Sequence, residues 1–199
     1  MAPPAPTNTT TAILVREMTP RDAPHVSSLA DVLIGPGYYP VSQVLETLEQ
    51  STQGSTVCSH VAVRRDDETL LGFRFALPPG RWRHGRGEGL SPHLWPVALE
   101  RCAYFQSSYV AFEARGKGIG PRMAEAAVRS LRELGAQAII THSWKESPNN
   151  SSLRYLTRLG FRAVTEYPGY WSQVDYICWL DGKPCQCTAI EMIKLLDES

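Results

Sequence analysis

The seven residues Ala114-Arg115-Gly116-Lys117-Gly118-Ile119-Gly120 constrain this chain more than any other stretch, because they join a strand pattern to a helix pattern through a turn of glycines and cations. Upstream, Ser108-Tyr109-Val110-Ala111-Phe112 is rich in strand formers. Downstream, Ile119, Met123, Ala127, Leu131 and Leu134 recur at helical spacing, Pro121 stands where an early helical position tolerates a missing N–H, and Gly135 ends the pattern as a C-cap. Glycine at 116, 118 and 120 removes the Cβ atoms that keep a ligand from the backbone, and the first helical turn leaves N–H groups without internal partners. The turn therefore suits an anion such as a pyrophosphate, with Arg115 and Lys117 adding charge. Two other phosphate loops are excluded: no Lys-Ser or Lys-Thr completes a Walker A loop, and no third glycine completes G-x-G-x-x-G.

The remaining pattern, Arg115-x-x-Gly118-x-Gly120 between strand and helix, resembles the pyrophosphate loop of the GNAT superfamily of acetyl-CoA-dependent N-acetyltransferases. A second stretch, Asn149-Asn150-Ser151-Ser152-Leu153-Arg154-Tyr155-Leu156-Thr157-Arg158-Leu159-Gly160-Phe161, is similar to that family's next helix, which runs from an Asn touching the cofactor to a terminal Gly-Phe. The resemblance implies an α/β (α+β) fold: a mixed, mostly antiparallel twisted sheet of about seven strands, flanked by about four helices and splayed between the fourth and fifth strands. It implies acetyl-CoA as cosubstrate, bound by Val110, Phe112, Arg115, Gly116, Lys117, Gly118, Ile119, Gly120, Asn149 and Ser152. The family's usual proton donor to the leaving thiolate, a tyrosine four residues before the Gly of Gly-Phe, is Leu156 here. Tyr155 stands one residue earlier, about 100° around the helix, and is the candidate catalytic residue. Its other reading is packing against Leu159. Candidate bases are Glu113, Glu100, His142 and a water held by backbone carbonyls.

A chain of 199 residues, 43% hydrophobic and 20% charged, suits one domain with a full core. Residues 1–10, rich in Pro, Ala and Thr, read as a flexible tail, and 11–199 as a single domain. Twenty Lys+Arg balance twenty Asp+Glu, so no global field draws nucleic acid or an anionic membrane. With neither a signal peptide nor a spanning segment in the sequence, a cytoplasmic monomer or homodimer is expected. Thr19-Pro20 opens a helix with Val26, Leu29, Ala30 and Leu33 on its apolar face, and Val41, Val44, Leu45 and Leu48 suggest a second.

Strands are expected at 13–16, 57–63, 70–76, 136–143, 161–166 and 174–180, with 187–195 returning as an extra C-terminal hairpin strand or a short helix. His60 is expected to face solvent. The long connection 78–96 carries Arg81, Arg83, His84 and Arg86 and reads as a solvated loop, although Trp82 and Trp95 argue against disorder. The five cysteines read as reduced thiols; Cys178, Cys185 and Cys187, spaced C-x6-C-x-C, are expected to pack without holding a metal.

The resemblance implies transfer of an acetyl group from acetyl-CoA to a primary amine on a small molecule, a peptide N-terminus or a lysine, by direct attack in a ternary complex. The alternative is a CoA-binding sensor of the same fold with little or no turnover.

Overall fold

A computed structural model describes residues 12–196; the tail expected at 1–10 lies outside the described residues. One seven-stranded sheet organises the chain. Its strands are β1 (Ile13–Glu17), β2 (His60–Arg64), β3 (Leu70–Leu77), β4 (Cys102–Val110), β5 (Ala138–Trp144), β6 (Arg162–Tyr167) and β7 (Ala189–Leu195), in the order β1-β2-β3-β4-β5-β7-β6. Every neighbouring pair is antiparallel except β4 and β5, which run parallel. Among the described residues four α-helices pack on it: α1 (Ala23–Leu33), α2 (Val41–Gln50), α3 (Ile119–Glu133) and α4 (Ser151–Arg158). Thr52–Gln53 and Thr56–Val57 form a small ladder of their own, so the strand expected over 57–63 is broken at Cys58-Ser59.

Local chemistry explains the helix ends. α3 buries Ile119, Met123, Ala127 and Leu131, one residue per turn. It stops at Gly135, whose φ of 78° lets the Ala136 N–H reach Leu131 O and the Gly135 N–H reach Arg132 O. α4 ends in the same way at Gly160 (φ 88°), with Phe161 N–H on Leu156 O, Gly160 N–H on Thr157 O, and the Leu156 and Phe161 side chains in one buried cluster. The Gly-Phe pair is thus a helix stop with its apolar clasp. At the start of α1, Asp22 accepts from the Thr19 N–H (2.8 Å) and holds both ends of the Arg16 guanidinium. Burial raises the Asp22 pKa, but Arg16 and Thr19 together outweigh it and hold the carboxyl below its ordinary value.

Three expectations need correction. His60 is buried, with Nδ1 3.0 Å from Cys58 O, and burial lowers its pKa. The segment 174–180 is no strand and 187–195 is no extra strand: Ala189–Leu195 is the seventh strand itself, lying between β5 and β6. The alternation that suggested a strand is genuine in burial, with Tyr176 and Cys178 inside and Ile177 and Trp179 exposed. Its backbone partners are instead Pro36 and Gly182, so no ladder forms. Lastly, the connection after β3 is no solvated loop, since Trp82 and Trp95 are buried and Trp82 Nε1 donates to Cys102 O at 2.7 Å.

Candidate active site

The sheet opens in its middle, and the cause is local. β4 and β5 pair only over Cys102–Phe105 with Ala138–Thr141, and Thr141 Oγ1 donating to Phe105 O (2.8 Å) marks the end of the contact. On the other edge of β4, Phe75 faces Ser107 and Ala76 faces Phe105, leaving Gln106 as the extra residue of a β-bulge. A bulge bends its strand, and from Gln106 onward β4 leaves β5. Burial records the separation: residues 102–105 are buried, whereas 106–110 are half-buried. Across the gap, the His142 side chain is only 2% exposed although the residue as a whole is not buried, so its open part is the main chain.

β4 leads through a single 3-10 turn into Arg115–Gly118 and α3. Gly116 (φ 76°) and Gly118 (φ 70°) adopt the left-handed conformation, and a Cβ added at either would meet nothing within 4 Å. Gly120 differs, because a Cβ there would approach the Tyr155 ring at 3.2 Å. The side chains of this turn behave unequally. Lys117 is exposed; Arg115 is exposed too, lying 4.1 Å over the exposed Phe112 ring with Nε on Val110 O (3.2 Å); Ile119 is buried, leaving only its backbone to a ligand. Pro121 is the third residue of α3 and offers no N–H.

At the start of α4, Asn149 and Asn150 both have positive φ (54° and 52°), a conformation asparagine tolerates well. Ser147 Oγ accepts from the Ser152 N–H (3.0 Å), and Ser152 Oγ bonds Ser143 Oγ (3.0 Å), tying this helix to β5. Tyr155 is committed elsewhere: its hydroxyl donates to Gly120 O (2.9 Å) and accepts from Nη2 of the buried Arg74 (2.7 Å). The arrangement links α4 to the first turn of α3, a role that helical spacing to Leu159 did not suggest. Glu100 and Glu113 are exposed.

The segment Gly85-Arg86-Gly87-Glu88-Gly89 crosses the sheet as a strap. A Cβ at Gly85 would stand 2.0 Å from the Tyr170 hydroxyl, at Gly87 1.9 Å from Tyr170 O, and at Gly89 2.4 Å from the Tyr167 ring. Beneath it, His142 Nδ1 lies 2.9 Å from the Tyr104 hydroxyl and 3.0 Å from that of Tyr170. Burial pushes the imidazole down to about 3, so it is neutral. Glu191, raised by burial, accepts from Trp95 Nε1 (2.9 Å) and the Ser91 N–H (3.0 Å), with Oε2 3.7 Å from His142 Nε2. Arg86 lies over the rings of Tyr38 and Tyr39, at 4.7 Å from each. Sequence reasoning singled out His142 but not Tyr104 and Glu191, which stand on the strands either side of β5, nor Tyr170, which lies in the turn after β6.

Between the strap, α2 and residues 173–175 lies a groove of about 880 Å³. Arg81, Arg83, His84 and Glu88 line it, and Gln106 forms part of its wall. Among the described residues no helix is long and apolar enough to cross a membrane.

A parallel pair forced apart at a bulge, with a glycine turn and helix start at its end, defines an acyltransferase-type α/β fold. Residues 32–161 match the Acetyltransferase (GNAT) family, and the chain belongs to that family. No curated protein matches it in sequence. Among solved structures it is similar to NAA60 from Arabidopsis thaliana in complex with acetyl-CoA (TM-score 0.68, 18% identity, 94% of this chain and 100% of that one). It is also similar to Ard1 from Thermoplasma volcanium (TM-score 0.65, 17% identity, 94% and 99%) and to the ribosomal-protein-S18-alanine N-acetyltransferase from Escherichia coli (TM-score 0.62, 12% identity, 94% and 96%). At these identities the likeness is one of fold.

Proposed function

We propose that the chain is an N-acetyltransferase that carries an acetyl group from acetyl-CoA to a primary amine in a ternary complex. One observation carries the reading: Gln106 is both the first residue of the opened stretch of β4 and part of the groove wall, so the two spaces meet there. On this reading the pyrophosphate of acetyl-CoA lies on the backbone at Arg115–Gly120, with Lys117 and Arg115 neutralising charge and the N–H groups of Ile119 and Gly120 donating. The pantetheine arm pairs with the open edge of β4 up to Val110, beside Phe112, while Asn149 and Ser152 border it from α4. Arg115 releases Val110 O in doing so. The amine enters by the groove.

The amine nitrogen attacks the thioester carbon, the C–N bond forms, the C–S bond breaks and the thiolate leaves. Alignment and main-chain donors in the split lower the barrier. The amine proton leaves to water in the groove, since the side chains of Tyr104, Tyr170 and the neutral His142 are buried beneath the strap and hold it in place. Because burial keeps His142 neutral above about pH 3, the pH profile of kcat/KM follows deprotonation of the amine and shows no break near the ordinary histidine value. Tyr155, its hydroxyl already engaged at both ends, is a positioning residue for the α3 turn.

Acetyl-CoA-dependent release of free thiol across a panel of small amines, N-terminal peptides and lysine peptides tests the proposal. Release with at least one class supports it. Thermal stabilisation by CoA without release from any would instead favour the sensor reading, and stabilisation by ATP but not CoA would refute both.

A further inference from the structure

The connection from β6 to β7 covers residues 168–188 without a helix or a sheet strand, a length that seldom holds one shape unaided. It nevertheless forms the far wall of the groove through Gln173, Val174 and Asp175, and it supports the turn before α2, with Tyr176 4.7 Å from the Tyr38 ring and the Ile177 N–H on Pro36 O. At its base Cys178, Asp181, Cys185 and Cys187 converge, one ligand atom of each lying within 4.8 Å of the others.

We propose that these four side chains bind one structural zinc ion, which fixes this wall. A tetrahedral zinc with bonds of about 2.3 Å to sulfur sets neighbouring sulfurs about 3.8 Å apart; Cys178 and Cys187 Sγ are 3.8 Å apart. The Asp181 carboxylate oxygen is 3.1 Å from Cys187 Sγ and 4.0 Å from Cys185 Sγ, on either side of the about 3.6 Å such a site requires. Three thiolates favour a soft or borderline ion, and three buried cysteines with a fourth ligand close the coordination sphere, as in structural rather than catalytic sites.

The surroundings already orient one ligand. The Gln186 N–H donates to the Asp181 carboxylate at 3.0 Å, orienting it. The sequence concealed the set because its second ligand is a carboxylate: Cys178-x2-Asp181 has the knuckle spacing that a search for paired cysteines passes over.

The proposal does not depend on acetyl transfer and is tested without it. The full chain, purified in reducing buffer with no added metal, is analysed for zinc by mass spectrometry; the chelated protein is then titrated with cobalt(II). We expect one zinc per chain, and with cobalt a thiolate charge-transfer band and intense tetrahedral d–d bands. Cys187→Ser abolishes both, Asp181→Ala weakens zinc binding more than about tenfold, and Asp181→Cys retains it. Zinc well below one per chain with no cobalt–thiolate band would overturn the proposal, as would a Cys178–Cys187 disulfide in its place. The cobalt titration of the parent protein decides the matter even where a variant fails to fold.

Discussion

Two stretches of this chain share the spacing Gly-x-Gly-x-Gly and use it in opposite ways. At 116–120 the first two glycines face open space, whereas at 85–89 each glycine lies against the atoms of a tyrosine. The first stretch keeps side chains away from a place where a ligand would sit. The second keeps them away from the protein itself, so that a strap can lie flat over Tyr104, Tyr167 and Tyr170. Glycine spacing alone therefore does not identify a binding loop; what decides is the space beyond each missing Cβ.

Gly87→Ala should have the largest effect on folding. Its methyl would be forced onto main-chain oxygen at 1.9 Å, and we expect a loss of about 3 kcal/mol in denaturant unfolding with CoA affinity unchanged in the folded fraction. A loss below about 0.5 kcal/mol would mean the strap is loosely seated. Gly118→Glu is its counterpart, placing bulk and negative charge in open space. CoA binding measured by calorimetry should weaken about a hundredfold, or about 2.7 kcal/mol, while the fold is retained; unchanged affinity would show the turn is not the pyrophosphate site.

Tyr155→Phe comes next. It removes the bond to Gly120 O and leaves Arg74 without that acceptor, yet turnover should fall by less than about tenfold, within about 1.4 kcal/mol. A loss of a hundredfold at unchanged CoA affinity would make Tyr155 the acid for the thiolate. The smallest effect is expected of Gly118→Ala: about 1 kcal/mol of stability from the left-handed backbone, with little steric cost because nothing lies near the new methyl.

The same contrast explains what could be read in the sequence. α4 with its stop at Gly160 rests on the family resemblance and 187–195 stands open between strand and helix, whereas most of the sheet strands, the first three helices, the stop at Gly135 and the glycine turn ahead of α3 follow from local periodicity and turn chemistry. The strap did not, because Gly85 and Gly87 derive their meaning from Tyr104 and Tyr170, far away in the chain. The bulge at Gln106 is equally silent, since it is a mismatch of register between two strands. Alternation over 174–180 reported burial correctly and pairing wrongly, because a side chain's environment does not name its backbone's partner. His60 was misplaced for a related reason: a polar residue on a strand reads as exposed until a carbonyl, here Cys58 O, is found to satisfy it.

Hydrogen–deuterium exchange with and without CoA compares the two stretches most directly. If the turn is the ligand's place and the strap a structural cover, CoA should slow exchange at 106–120 and 142–152 and leave 85–89, already packed on its tyrosines, unchanged. Protection of 85–89 with none at 115–120 would contradict the account.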